Sequence, residues 1–193
     1  MNEVGQSQAE VPGWAAKVLR LAGELASREI PHAFGGAIAL NYHREPRSTL
    51  DIDVNIFLTV ASAGDLVDAL GHLFEVDEPG QLARELGEHG QARTMWAGTY
   101  VDLFLSNTDF HTAMFERLQH QPFGDRQIPV LSIEDLLICK VLYDRGKDWV
   151  DIEAVAATRQ AELDYGYMVG WLSEFIDATD PRHARLADLK RLR

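Results

Sequence analysis

The chain is poor in cysteine and has no long apolar run. Cys139 is the only cysteine among 193 residues, which excludes an internal disulfide and a cysteine-based zinc site. No apolar run approaches the ~20 residues that cross a bilayer. The first residues also lack the basic-then-apolar order of a secretory signal. We therefore expect a cytoplasmic protein with no membrane partner.

Several enzyme signatures are missing as well. The sequence has no G-x-x-x-x-G-K-[ST] phosphate loop, no G-x-G-x-x-G dinucleotide loop and no G-x-S-x-G nucleophile elbow. Its seven histidines show neither HExxH nor His-x-His spacing, so we assign them no metal. These absences exclude the corresponding classes of NTPase, dehydrogenase, serine hydrolase and zinc protease.

Positive charge is scarce in this chain. Eighteen Lys and Arg stand against thirty Asp and Glu, a net charge of −12. The overall field of such a protein repels nucleic acid, so a polyanionic partner requires a local basic cluster. The C-terminus is one such cluster by sequence, with Arg182, Arg185, Lys190, Arg191 and Arg193.

The pattern along the chain predicts an α+β fold. Residues 1–12 are polar and non-periodic and predict a flexible N-terminal tail. Apolar spacing predicts a helix over 14–28, strict alternation predicts a strand over 51–58, and two strands over 92–96 and 100–105 form a hairpin. From about residue 107 helical periodicity dominates, interrupted by an extended stretch at 127–131. Ser132, with Asp135 three residues on, predicts the start of a helix over 133–143. We expect a small mixed β-sheet core at 13–106, flanked by helices, and a helical C-terminal half at 107–193 packed on it.

Three aspartates on the predicted strands are candidate catalytic residues. Asp51 and Asp53 are two residues apart, so their side chains leave the same face of the strand about 6 to 7 Å apart. Asp102 lies in an otherwise apolar and aromatic strand. Three clustered carboxylates repel one another unless a divalent cation neutralises them, and all-oxygen ligands favour magnesium. The alternative is a solvent-facing edge strand for Asp51 and Asp53 and a surface position for Asp102.

A glycine pair and several cations are candidates for phosphate binding. Gly35 and Gly36 lie between a short strand and a helix, where a backbone free of side chains can approach phosphate; a simple tight turn is the alternative. The cations that could face a triphosphate are Arg44, Arg47, Lys140, Arg145 and Lys147. Lys140 could instead extend from an apolar helix to solvent. Asp148 and Asp151 are equally well explained as charges in the first turn of a helix.

These motifs, in this order, resemble the nucleotidyltransferase superfamily related to DNA polymerase β. The resemblance lies in Phe34-Gly35-Gly36, then Arg47-Ser48-Thr49-Leu50-Asp51-Ile52-Asp53, then Val101-Asp102-Leu103. Further along, residues 133–140, 144–148 and 151–152 resemble the AbiEii-type branch, which includes toxins of bacterial toxin–antitoxin systems. The likeness extends from about Phe34 to Val155.

The resemblance implies an activity and assigns residues to it. Asp51, Asp53 and Asp102 would be catalytic and would hold Mg²⁺, with Mn²⁺ as a possible substitute, during transfer of a nucleotide from a nucleoside triphosphate with release of pyrophosphate. Nucleotide binding would fall to Gly35, Gly36, Arg47, Ser48, Thr49, Lys140, Lys147 and Asp148. Phosphorylation of Ser48 or Thr49 would repel the incoming nucleotide.

The acceptor and the partner follow from the same resemblance. For an AbiEii-type toxin we expect tRNA as acceptor and a cognate antitoxin as partner. Two alternatives remain: a nucleotidyltransferase acting on an aminoglycoside or lincosamide antibiotic, whose cationic acceptors suit an acidic chain, and a non-catalytic antitoxin or partner-binding protein of the same fold.

Overall fold

The computed structural model describes residues 13–76, 78, 80–159 and 162–190. Within these ranges the chain forms six strands: β1 (His32–Phe34), β2 (Ile52–Thr59), β3 (Gln91–Trp96), β4 (Thr99–Ser106), β5 (Gln119–Phe123) and β6 (Arg126–Val130). The predicted tail at 1–12 lies outside the described residues.

Helices connect and flank these strands. They are α1 (Trp14–Ser27), α2 (Gly36–Leu40), α3 (Ala63–Leu70), α4 (Gln81–His89), α5 (Asp109–Glu116), α6 (Ile133–Tyr143), α7 (Gly146–Arg159), α8 (Tyr165–Phe175) and α9 (Pro181–Leu189), with single 3₁₀ turns at Val60–Ser62 and Gly71–Leu73. Within the described residues, no helix is both long and apolar enough to cross a membrane.

All six strands belong to one mixed sheet in the order β3-β4-β2-β1-β6-β5. Strand β2 lies near its centre, parallel to β4 and antiparallel to β1. The alternation seen in the sequence buries Ile52, Val54 and Ile56 almost completely. Since side chains alternate along a strand, Asp53 and Asn55 point to the other face.

Helix α6 lies over that second face of β2. It begins where Ser132 accepts a hydrogen bond from the Asp135 backbone N–H at 3.2 Å, the helix start that the sequence predicts. Its residues Cys139, Lys140 and Tyr143 line a small cavity together with Asp53 and Asn55. The helix therefore places its C-terminal turns beside the predicted catalytic strand.

The predicted α+β class is confirmed, as are the helix at 14–28, the strand at 51–58 and the hairpin. The sheet, however, continues past residue 106, because β5 and β6 pair and β6 joins β1. The sheet thus takes strands from both halves of the chain that the sequence analysis distinguished. Strand β5 escaped prediction because its QHQPF sequence offers little apolar alternation. It is an edge strand, where Pro122 is tolerated.

Candidate active site

The pairing of β2 with β4 brings the predicted carboxylates together. Asp53 and Asp102 are register partners in this parallel pair, so their Cα atoms lie on neighbouring strands, which are about 4.8 Å apart. Asp51 directly precedes β2. Its Oδ2 lies 3.8 Å from Nη2 of Arg93, which is 2.6 Å from Oδ2 of Asp102. Three carboxylates therefore lie close together where the start of β2 pairs with β4.

These side chains share a cleft of about 120 Å³, which we call the carboxylate cleft. It is lined by four carboxylates (Asp51, Asp53, Asp102 and Asp148), by five cations (Arg47, Arg93, Lys140, Arg145 and Lys147) and by Gly36, Ala37 and Thr49. Its cationic side chains outnumber its carboxylates, although the chain as a whole carries a charge of −12. The cleft therefore gathers cations beside its carboxylates, where the phosphates of a bound nucleotide could contact them.

The glycine pair is packed against Asp53. Gly35 donates its backbone N–H to the Asp53 carbonyl at 2.9 Å. Gly36 has a φ of +49°, and a Cβ at this position would overlap the Asp53 carboxylate. Glycine is therefore required at residue 36 for both its backbone conformation and its lack of a side chain. The Asp53 carboxylate therefore lies directly against the start of α2.

The electrostatics of Asp53 reflect its surroundings. Burial, assisted by the neighbouring charges of Asp102 and Asp51, raises the pKa of Asp53 to about 6. Lys140 and Arg93 oppose this rise without cancelling it. In the protein alone, Asp53 thus lacks sufficient positive charge nearby to ionise at its ordinary pKa.

Arg93 on β3 holds one of the three carboxylates. Its Nε and Nη2 donate to the two oxygens of Asp102 at 2.7 and 2.6 Å. Among the residues that the structure describes, no group of three or more His, Cys, Asp or Glu side chains is arranged to hold a metal ion. Asp102 is turned toward Arg93 instead. The metal role of Asp51, Asp53 and Asp102 therefore stays a prediction.

Lys140 is buried rather than extended to solvent. Its Nζ lies 2.8 Å from Oδ2 of Asp151 and 3.3 Å from Oδ1 of Asp148. Arg145 donates from Nε to Asp148 at 2.6 Å. Burial tends to raise the pKa of Asp148, but the hydrogen bonds from Arg145 and Lys140 outweigh it and leave that pKa below its ordinary value. Asp148 and Asp151 are thus buried partners of the cleft cations rather than only helix-start charges.

The loop between α2 and β2 is anchored to the same network. Arg44 and Arg47 both contact the Asp151 carboxylate, at 2.7 and 3.3 Å. Thr49 accepts a hydrogen bond on Oγ1 from the Asp51 backbone N–H at 3.3 Å. One buried carboxylate on α7 therefore fixes the course of the loop that leads into Asp51.

The eight predicted nucleotide-binding residues divide into two groups. Six of them line the carboxylate cleft: Gly36, Arg47, Thr49, Lys140, Lys147 and Asp148. Gly35 and Ser48 do not line it; Gly35 supports Asp53 through its backbone, and Ser48 is exposed in the loop. The nucleotide-binding role of all eight residues stays a prediction.

The family model of the AbiEii nucleotidyltransferase toxin, a type IV toxin–antitoxin component, matches residues 21–193. The chain belongs to the AbiEii family. It is a nucleotidyltransferase, as the resemblance in the sequence implied. The match extends from α1 to the C-terminus and so includes the cleft and every element that lines it.

Solved structures agree in fold with this AbiEii chain. The solution structure of the antibiotic-resistance factor ANT(2″)-Ia superposes with a TM-score of 0.58 at 13% identity, covering 92% of this chain and 95% of the other. The crystal structure of its complex with adenylyl-2″-tobramycin superposes with a TM-score of 0.57 at 13% identity, covering 84% of this chain and 98% of the other. An antigenic nucleotidyltransferase-like protein from Paracoccidioides brasiliensis superposes with a TM-score of 0.53 at 15% identity, covering 92% of each chain. No curated protein sequence matches the chain.

Two residues of the AbiEii site escaped the sequence analysis in part or in full. Arg93 was not singled out, although the predicted hairpin with its turn at 97–99 implies a register that pairs residue 93 with Asp102. Asp151 was noted only as a helix-start charge. No local pattern identifies its role, since its partners Arg44, Arg47 and Lys140 come from distant segments.

Proposed function

We propose that the protein transfers a nucleotide from a nucleoside triphosphate to an acceptor hydroxyl in a magnesium-dependent reaction that releases pyrophosphate. The observation that carries this proposal is the convergence of Asp51, Asp53 and Asp102 in a cleft that also presents five cationic side chains. Carboxylates suit a divalent cation, and cations suit the phosphates.

The donor atoms of the cleft fit an oxygen-preferring cation. All three candidate ligands are carboxylates, and burial together with the charges of Asp102 and Asp51 raises the pKa of Asp53. The Arg93 guanidinium already bridges Asp51 and Asp102. Asp51, Asp53 and Asp102 would hold Mg²⁺, with Mn²⁺ as a possible substitute. When bound, the cation neutralises charge on the triphosphate and on the transferred phosphoryl group.

The protein side chains orient the triphosphate. Gly36 lets the Asp53 carboxylate lie against the start of α2. Arg47, from the loop before β2, and Lys147, from α7, line the cleft in which the triphosphate would bind. Lys140 is held between Asp148 and Asp151, so its charge is fixed in place without the loss of side-chain freedom on binding. Asp148 accordingly positions Lys140 and Arg145.

The transfer step makes one bond and breaks one. The acceptor hydroxyl oxygen attacks the α-phosphorus, and the bond from that phosphorus to the oxygen bridging the β-phosphate breaks, so that pyrophosphate leaves. The hydroxyl proton passes to a carboxylate, for which Asp102 is the candidate because it lines both the carboxylate cleft and the larger cleft beside it. Positioning and charge neutralisation are the main sources of rate for such a reaction.

For the acceptor we propose RNA, and tRNA within that class, as expected of an AbiEii toxin. The choice rests on the family, because cations of the cleft such as Arg93, Lys140 and Arg145 are ion-paired within the fold, and two C-terminal arginines are as well. Arg182 pairs with Asp180 and Arg185 pairs with Glu153, so these two cations are already neutralised within the fold. Lys190 lies over the Tyr165 ring, with its Nζ 5.8 Å from the ring centre. Arg191 and Arg193 lie outside the described residues.

The family also supports a biological setting. A toxin of a type IV toxin–antitoxin system implies a cognate antitoxin, and we propose that this protein has one and acts in the cytoplasm. The second candidate function is transfer of a nucleotide to a cationic antibiotic. It is favoured by the net charge of −12 and by Glu85, a carboxylate beside Asp102 and Asp53.

A labelling experiment tests the proposal. The purified protein is incubated with Mg²⁺ and each α-labelled nucleoside triphosphate, with total tRNA, an aminoglycoside or no acceptor. Asp53→Asn removes one carboxylate of the cleft, and Asp68→Asn, exposed on α3, is the matched control. We expect label on tRNA with the wild type and Asp68→Asn, and none with Asp53→Asn.

The other outcomes are equally informative. Label on the aminoglycoside alone would replace the RNA acceptor by an antibiotic. Label that persists in Asp53→Asn would contradict the assigned site. A complete absence of label would favour the non-catalytic antitoxin or partner-binding alternative.

A further inference from the structure

One side of the site is an open sheet face. Arg93 on β3 and Tyr100, Asp102 and Phe104 on β4 project from the face that carries Asp53, as the registers of β3 with β4 and of β4 with β2 require. Helix α6 lies over β2, whereas Tyr100 keeps 45% of its surface exposed. The β3–β4 end of this face therefore remains accessible to a ligand.

Two arginine-on-tyrosine stacks flank the catalytic carboxylates. The Arg93 guanidinium carbon lies 5.0 Å from the centre of the Tyr100 ring, and that of Arg145 lies 4.7 Å from the centre of the Tyr143 ring. Tyr143 is 47% exposed, at the end of α6. Each tyrosine thus has an accessible ring beside a planar cation. One stack belongs to the sheet and the other to the helical side of the site.

Clefts connect these stacks to Asp102. A cleft of about 350 Å³ is lined by Asp102, Arg93, Phe104, Tyr143 and Arg145 among others. A second cleft, of about 240 Å³, shares Arg93 and reaches Tyr100. The first lies within the range of about 300 to 1,000 Å³ that is common for ligand sites. The first cleft includes Asp102, the candidate base, and the second adjoins it through Arg93.

We propose that Tyr100 and Tyr143, with their stacked arginines, form the binding surface for the single-stranded end of an RNA acceptor. Exposed aromatic rings stack on any base, and arginines bind the phosphates between the bases. The proposal rests on the proposed transferase function and names the part of the acceptor that enters the site. The first cleft also contains Asp53 and Glu85, which would suit a cationic small molecule, so the choice of RNA rests on the two exposed rings beside the arginines.

A binding assay without turnover tests this surface. The full chain, in Mg²⁺ and without nucleoside triphosphate, is titrated into a fluorescein-labelled single-stranded RNA with a free 3′-hydroxyl, and anisotropy is recorded. Tyr100→Ala and Tyr143→Ala should each weaken binding roughly tenfold. Tyr100→Phe and Tyr143→Phe should stay close to the wild type, because they retain the ring. Phe175→Ala, an exposed aromatic on α8 that lines neither cleft, is the control.

The outcomes separate this inference from the proposed function. If both alanine variants bind RNA as tightly as the wild type, the surface is wrong even when label is transferred to tRNA. If the wild type binds an aminoglycoside in place of the RNA, the inference is also overturned. If no acceptor becomes labelled but the tyrosine variants still lose RNA binding, the surface stands and the proposed transfer to RNA fails.

Discussion

Arg93 and Asp102 face each other across the β3–β4 hairpin and form a two-pronged ion pair, with donor distances of 2.7 and 2.6 Å. The same guanidinium lies 3.8 Å from Asp51. A fixed positive charge therefore sits between two carboxylates that are candidate ligands of a divalent cation. Arg93 and such a cation would compete for the same oxygens.

The first prediction concerns this competition. Arg93→Gln should bind Mn²⁺ about fivefold more tightly than the wild type, because an exposed ion pair contributes about 1 kcal/mol that the cation must overcome. Electron paramagnetic resonance of free Mn²⁺ measures the affinity without substrate. Arg84→Gln, an exposed arginine on α4 outside the carboxylate cleft, is the control. Weaker Mn²⁺ binding by Arg93→Gln would show that Arg93 helps to build the site.

The second prediction concerns pH and stability. The pKa of Asp53 is raised to about 6 in the folded protein, whereas an unfolded aspartate titrates near 4. Between these values the folded state binds more protons than the unfolded state, so the stability contributed by this group is complete below about pH 4 and is lost as the pH rises through 6.

Asp53→Asn cannot ionise and escapes this loss. In a chelator at pH 7.5 the variant should be more stable than the wild type by about 3 kcal/mol, and the difference should fall toward zero near pH 4. Urea unfolding at both pH values measures it, with Asp68→Asn on α3 as control. A difference independent of pH would refute the electrostatic explanation.

The third prediction concerns the glycine pair. Gly36→Ala should lower both stability and Mn²⁺ affinity, because the new Cβ meets the Asp53 carboxylate and residue 36 has a positive φ. Gly64→Ala provides a matched control on α3, where a Cβ has open space. It should be neutral or stabilising by up to about 1 kcal/mol. Thermal unfolding and Mn²⁺ titration report the two effects. If the two variants have the same stability and the same Mn²⁺ affinity, Gly36 has no role in the site.

The fourth prediction concerns the anchor of the loop before β2. Asp151→Ala should destabilise the protein by about 3 kcal/mol, since it leaves the buried Lys140 without one of its partners. The loop should also loosen, because Arg44 and Arg47 lose their shared carboxylate. Limited trypsin digestion under native conditions should then cut faster after these two arginines.

The control for this variant lies on the same helix. Glu153→Ala breaks an exposed ion pair of α7 with Arg185 and should cost less than about 1 kcal/mol. Its digestion pattern should match that of the wild type. If Asp151→Ala is digested no faster than Glu153→Ala, Asp151 does not anchor the loop.

Local patterns account for the elements that the sequence analysis predicted. Helix α6 was predicted at its observed bounds because Ser132 caps its start and apolar residues continue to Tyr143. Strand β2 was predicted because Ile52, Val54 and Ile56 alternate with polar residues. Strand β5 was missed because its place in the sheet depends on pairing with β6 rather than on its own composition.

The sequence by itself determined the family, the α+β class and the identity of the central carboxylates. These follow from short-range order, since the glycine pair, the Asp51-x-Asp53 alternation and the Asp102 strand each form a pattern within a few residues. Their chemistry could therefore be proposed before any contact was known.

Only the tertiary structure decided how these residues are held. Pairing of β2 with β4 placed Asp53 opposite Asp102, and helix packing buried Lys140 against Asp148 and Asp151. Packing of α6 also placed Tyr143 in the lining of the cleft that contains Asp102. These relationships join segments far apart along the chain, and their energies come from burial and from close ion pairs, which no local pattern records.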